Sequence, residues 1–172
     1  MYRRKDFVFM NVLNLKGKKI GYIKELLIDC NKNKVIGFAV ANQGMFSKDI
    51  SVLIKDVIYH NKDIIIKNFT KESYYSFDKL EDMDVVDLNG DILGLVKDII
   101  FDEESFVIKG VVVSTGIIRD FTKGKKILLM KNLLIGDENI LYYSRGDEIQ
   151  FSSRAHKISK FDEECVVKNE KS

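Results

Sequence analysis

The chain repeats itself, and that periodicity limits what it can fold into more than any single motif does. Met10-Asn-Val-Leu-Asn-Leu-Lys-Gly-Lys-Lys-Ile-Gly-Tyr-Ile-Lys-Glu-Leu-Leu-Ile-Asp29 aligns without a gap on Met83-Asp-Val-Val-Asp-Leu-Asn-Gly-Asp-Ile-Leu-Gly-Leu-Val-Lys-Asp-Ile-Ile-Phe-Asp102, at a spacing of 73 residues. Met10/Met83, Val12/Val85, Leu15/Leu88, Gly17/Gly90, Gly21/Gly94, Lys24/Lys97 and Asp29/Asp102 are identical. The register runs on through Gly37/Gly110 and Val40/Val113. Beyond an insertion around Ile117–Lys125 it resumes at a spacing of 76, pairing Lys55 with Lys131 and Ile64 with Ile140. Self-similarity on this scale means two copies of one supersecondary unit. Each copy is short enough to bury a modest share of its surface, so the copies are expected to lean on each other or on a second chain.

Each copy reads as a series of short strands. Val12–Leu15 alternates and meets a glycine turn at Lys16-Gly17-Lys18, which becomes Leu88-Asn89-Gly90-Asp91 in the second copy. Asn-Gly is a strong hairpin signal because both residues tolerate positive φ. Ile20–Ile28 and Leu93–Phe101 follow as β-rich apolar runs, closed by Asp29 and Asp102, whose side chains can bond the backbone two residues on. Third strands over Val35–Ala41 and Val107–Ser114 carry Gly37 and Gly110 inside them, the mark of a bulge or tight bend. Strands near Ile50–Ile54 and Ile127–Met130, then Asp63–Lys67 and Asn139–Ser144, complete each unit, with one helical turn expected at Lys55–Tyr59. The fold class is therefore all-β, with two tandem small β-barrels, since closure removes edges that so short a domain could not cover. The expected division is residues 1–72, residues 73–161 and a flexible C-terminal tail over 162–172. Its boundary lies near Phe69–Asp82, where Tyr74-Tyr75-Ser-Phe77 is suited to pack between the copies and Asp78–Asp82 reads as surface.

Composition narrows the class further. With 45% hydrophobic and 31% charged residues in 172, the chain can build a core and is neither disordered nor collagen-like. No apolar run approaches the roughly eighteen residues of a membrane span, and the basic start at Arg3-Arg4-Lys5 lacks the apolar stretch and cleavage site of a signal peptide. Cys30 and Cys165 match no metal or redox spacing and read as free thiols of a reducing cytosol. A cytoplasmic protein is the expectation.

The pattern Gly17–Gly21–Asp29, repeated at Gly90–Gly94–Asp102, resembles the PRC-barrel family: a short strand, a glycine turn, Gly followed by Val/Ile-Lys-Asp/Glu, then an apolar strand ending in Asp. The second copy is the closer match, because the first has Glu25 where Asp98 stands. The resemblance covers roughly residues 5–145 and rests on turn and core residues. It implies a small β-barrel of the kind found in the cytoplasmic part of a photosynthetic reaction-centre subunit, in a ribosome-maturation factor and in stand-alone bacterial and archaeal proteins. It also implies an adaptor without catalytic residues and carries over no site.

The residues themselves offer little chemistry. Asp87-Leu-Asn89-Gly-Asp91 has the look of a calcium loop with Asp98 twelfth, but Ile92 stands where that loop needs glycine. His60 and His156 lie in polar stretches with no partners at tetrahedral-site spacing, and read as surface residues. Ser51, Ser114 and Ser144 occupy no strand-to-helix elbow, and Ser114-Thr-Gly116 lacks the Gly-rich run and Lys of a P-loop. No catalytic, cofactor or metal site is expected. Basic clusters at Arg3–Lys5, Lys16–Lys19 and Lys123–Lys126, with Arg145, Arg154, Lys157, Lys160, Phe151 and Phe161 near the end, have three readings: a solvated surface, an RNA-holding face, or a match for an acidic protein. A net charge of +2 gives RNA no mandate. Met45-Phe46 and Ile117-Ile118 sit in equivalent loops after the third strands. They are either docking anchors for a partner or flaps that fold back over the barrel mouth. The functional expectation is a non-enzymatic bacterial adaptor; RNA or ribosome association is the alternative, and a homodimer stays open.

Overall fold

The computed structural model of the protein describes residues 1–42, 48–143 and the backbone of 149–150. The first copy contributes β1 (Tyr2–Arg3), β2 (Asn11–Asn14), β3 (Lys19–Asp29), β4 (Lys34–Asn42), β5 (Ile50–Leu53), β6 (Val57–His60) and β7 (Asp63–Ile66). The second contributes β8 (Asp84–Val86), β9 (Ile92–Phe101), β10 (Ile108–Ser114), α1 (Ile117–Lys123), β11 (Lys126–Leu129), β12 (Leu133–Ile135), β13 (Asn139–Tyr142) and β14 (Ile149–Gln150). Two sheets result, in the orders β5-β4-β3-β2-β7-β6 and β12-β13-β8-β9-β10-β11-β14, with β1 added to β9. Apart from β14 and β1 they are one arrangement built twice. In the first, the edge strands β5 and β6 are consecutive in the chain, joined only by the 3-10 turn Ile54–Asp56. A three-residue link between opposite edges forces the sheet to curl until they meet. The all-β reading and its tandem, barrel-like units hold, with the ladder open between those edges. The helical turn expected over Lys55–Tyr59 is this shorter 3-10 turn, and Val57 onward is strand.

The repeated glycines do different work. Gly17 and Gly90 have φ of 73° and 86° and close their hairpins with open space around them. Asn89 is not left-handed, contrary to expectation, because the carboxylate of Asp87 organises the turn by accepting from the amides of Asn89 at 2.8 Å and Asp91 at 2.9 Å. Asn14 does the same for Lys16 and Lys18. A single left-handed residue then suffices. Gly21 and Gly94 instead allow close approach: a Cβ would lie 2.0 Å from the Ala41 carbonyl oxygen and 2.2 Å from that of Ser114. The ladders slip beside Gly37 and Gly110, as interior strand glycines lead one to expect.

Asp29 and Asp102 cap their turns by accepting from the amides of Lys32 and Ser105, three residues on. Bonds from Lys32 hold the Asp29 carboxyl below the usual range; bonds from Ser105 do so for Asp102, and the Asp91 and Asn89 amides do so for Asp87. A depressed folded-state value stabilises the fold above the unfolded value near 3.9, and that stability is lost as pH falls through the folded values. The urea midpoint is expected to decline below about pH 4, and Asp102→Asn should flatten the decline. An unchanged acid limb in that variant would contradict the assignment.

The repeat reaches further upstream than the sequence alignment shows. The 3-10 turns Arg4–Asp6 and Phe77–Lys79 are equivalent at the same spacing, and Phe9 and Asp82 share a left-handed φ of 72° and 68°. The opening segment of each copy pairs with the other copy. Tyr2 and Arg3 lie opposite Phe101 and Ile100, while Ser76 bridges Leu27 and the Ile28 amide donates to the Tyr75 carbonyl at 2.8 Å. Midway, Lys34 bridges its own counterpart Val107, flanked by Val35 N–H to Phe106 O at 2.9 Å and Ile108 N–H to Asn33 O at 2.8 Å. Reciprocal bonds between equivalent residues define a two-fold relation inside one chain, the isologous geometry of a dimer.

One core spans both copies. Phe7 stacks on Phe38 at 5.2 Å and meets Phe101 at 5.7 Å, and Phe101 stacks on Phe106 at 5.9 Å. Phe77 is fully buried, as its placement between the copies suggested, but Leu80 is buried too, which corrects the surface reading of Asp78–Asp82. His60 is also corrected: it ends β6 half-buried, its ring 5.8 Å from Tyr2 and 6.2 Å from Phe7 and Phe106. The linker is in use as well, with Thr70 bridging Ser51 along the β5 edge.

Candidate functional site

Two constellations stand out, one inside the seam and one on the surface. The seam begins with a bulge at the same place in each copy: the ladders slip between Ile23 and Glu25 and between Val112 and Val113, leaving Lys24 and Lys97 as extra residues. A bulge re-aims the side chains that follow, and here it turns Glu25 and Asp98 inward to 5% and 6% exposure. Each carboxylate first accepts from the next amide, Leu26 or Ile99, at 2.8 Å. Two consecutive arginines then complete them. Arg4 forks onto Glu25 from Nε at 2.7 Å and Nη2 at 2.6 Å, and Arg3 binds Asp98 from Nε at 3.0 Å and Nη2 at 2.8 Å. The Arg4 amide also donates to Asp98 at 3.1 Å, and its guanidinium lies 5.4 Å from the ring of Phe77. The Glu25 bond drives the Arg4 pKa up against the burial that would lower it. Alongside, burial and a bond to Glu103 push the Tyr2 hydroxyl up to about 12.

This arrangement changes the account of the basic clusters. Arg3 and Arg4, grouped with Lys5 as a candidate RNA-facing patch, are committed to buried carboxylates and are unavailable for such a face. The sequence carried a signal for this that spacing rules do not register: an acid at the same position of both copies, directly before an apolar run.

The surface constellation is α1, a helix where the sequence alone predicts a loop. Gly116 and Gly124 bracket it with φ of 112° and 78°, and Asp120 reaches back to Ser114 Oγ at 2.5 Å and the Thr115 amide at 2.9 Å. Burial would raise the Asp120 carboxyl, but the bonds from Ser114 and Thr115 outweigh it and hold it below the usual range. Flanking glycines were the legible clue to the helix. Ile117 and Ile118 are 89% and 81% exposed, so they do not fold back over the barrel mouth. Phe121, not singled out from sequence, joins them at 87% one turn on, and Ile92 is exposed nearby. Three large apolar side chains standing in solvent on seven residues are unusual for a monomer surface. Beside them lies a cleft of about 320 Å³ lined by Ile92, Leu93, Thr115, Arg119, Lys123 and Lys125. The only carboxylate of the helix is tied inward, so what faces out is apolar and cationic.

Met45 and Phe46, the equivalent residues of the first copy, lie outside the described residues. Among those described, no group of three His, Cys, Asp or Glu side chains is placed to hold a metal, and no helix is long and apolar enough to cross a membrane.

No curated protein matches the chain. The family model for the PRC-barrel domain matches it twice, over residues 1–73 and 72–141. The first match starts at the exchanged arm, in keeping with the arm being part of the repeat. With both matches spanning most of its length, the chain belongs to the PRC-barrel family and carries two PRC-barrel domains in tandem.

Proposed function

We propose that the protein is a non-enzymatic adaptor of the bacterial cytosol that captures a protein partner through the exposed face of α1. The observation that carries this reading is the solvent exposure of Ile117, Ile118 and Phe121 together, on a helix braced by Asp120. Such a face supplies the apolar anchors of an interface, and Arg119, Lys123 and Lys125 supply a cationic rim that suits an acidic partner. The equivalent loop holding Met45 and Phe46 would offer a second point of attachment. Among the described residues of the basic clusters, RNA association, the alternative, keeps the exposed lysines Lys5, Lys16, Lys18, Lys19, Lys123 and Lys125 once Arg3 and Arg4 are committed to the seam; Arg145, Arg154, Lys157 and Lys160 lie outside the described residues.

Affinity capture from native cytosol tests it. Ile117→Asp is expected to abolish recovery of the partner while shifting stability by no more than about 0.5 kcal/mol, as surface changes do. Met45→Asp is expected to weaken capture separately. Undiminished recovery in both variants would discard the docking faces.

A further inference from the structure

The apolar face of α1 calls for a cover in the free protein, and the course of the chain nominates one. β14 pairs antiparallel with β11, Ile149 opposite Ile127 and Gln150 opposite Lys126. Along β14 the chain therefore advances from Ile127 toward Lys126, which is toward the end of α1 at Lys123. Lys123 is three residues from Lys126, within roughly 11 Å, and α1 is about 10 Å long. Beyond Gln150 the sequence continues for 22 residues outside the description, Phe-Ser-Ser-Arg-Ala-His-Lys-Ile158-Ser-Lys-Phe161-Asp-Glu-Glu164 and onward. Eight residues from Gln150 to Ile158 reach as far as about 26 Å, so every part of the α1 face is accessible to Ile158 and Phe161.

The chemistry matches as well as the reach. The face is apolar at Ile117, Ile118 and Phe121 and cationic at Arg119, Lys123 and Lys125. The segment offers two apolar side chains and then three consecutive acids, Asp162-Glu163-Glu164. Tethering spares it most of the cost of association, since a linked segment acts at a millimolar effective concentration, so modest contacts are enough. We propose that residues 158–164 occupy the α1 face in the free chain, and that a partner docks by displacing them. This regulation rests on the docking reading of the same face.

The sequence contains no Trp, so F121W places a unique fluorophore on the face. Because Phe121 is exposed, the substitution leaves the core untouched. Purified F121W carrying residues 1–172 is expected to show a blue-shifted emission independent of protein concentration. Adding Ile158→Asp and Phe161→Asp is expected to shift it red and open it to aqueous quenchers. Neutralising the acids as D162N/E163Q/E164Q should move it the same way by less. Emission of a solvent-exposed indole, identical with and without the tail substitutions, would overturn the proposal. So would a shielded emission that reverts on dilution and ignores the tail, which would make a second copy of the chain the occupant. No partner is present in this measurement, so its failure leaves capture through Ile117 standing, whereas undiminished capture by Ile117→Asp would remove the displacement step and leave the emission to report only whether the tail covers the face.

Discussion

Arg4→Ala is expected to cost about 3 kcal/mol of folding stability, more than any other single charge removal near the seam. The guanidinium leaves behind Glu25, a carboxylate 5% exposed whose remaining partner is one amide. Deleting one member of a buried ion pair typically costs about 3–5 kcal/mol, because the other charge stays desolvated. The lower figure applies because Arg4 itself is a quarter exposed. Lys24→Ala is the contrast: its pair with Asp49 at 2.8 Å is exposed on both sides, and such pairs contribute about 0–1 kcal/mol. Arg4→Met with Glu25→Gln should recover part of the loss, since an uncharged pair avoids the stranded carboxylate. Urea unfolding of the four proteins decides the matter, and an Arg4→Ala loss no greater than that of Lys24→Ala would refute the seam's role.

Gly94→Ala is expected to be comparably damaging, at about 3 kcal/mol, by a different route. The residue sits at φ 147°, where L side chains are strained, and its Cβ would fall 2.2 Å from the Ser114 carbonyl oxygen and 2.8 Å from a Val113 methyl. Strain in such a region costs about 1–3 kcal/mol. Pushing β9 off β10 adds to that, because the obstacle is backbone and cannot swing away. Gly90→Ala separates the two effects: φ is 86° but nothing lies within 4 Å, so it should cost only about 1–2 kcal/mol. Equal losses in the two variants would mean that the close approach of β9 and β10 contributes nothing.

The parts of this molecule legible from sequence were those written twice. Paired glycines, the alternation of Val12–Leu15 and the apolar run before Asp29 and Asp102 report local geometry, and local geometry repeats with sequence. What escaped was written once or depends on distant residues. Helix α1 falls where the spacing of the repeat lengthens from 73 to 76 residues, so the alignment offered no second witness to it. Arg3 and Arg4 read as a surface cluster because their partners lie 95 and 21 residues away. His60 read as surface because its neighbours in sequence are polar, whereas its neighbours in space are Tyr2, Phe7 and Phe106. Burial decided by pairing across the two-fold leaves no mark on a short window.

The reciprocal arms also set an order of events during synthesis. Tyr2 and Arg3 leave the ribosome about a hundred residues before their strand partners, Phe101 and Ile100. Glu25 waits in the same interval with Arg4 close by, but the ring under that guanidinium, Phe77, and the Asp98 that receives its amide are still to come. The opening residues are therefore among the last to be consolidated, and pairing at such sequence separation makes for slow closure. Until then the nascent first half holds an unmatched basic arm and the uncovered end of β3, a vulnerable interval in which encounter with another nascent copy competes with completion of the chain's own seam.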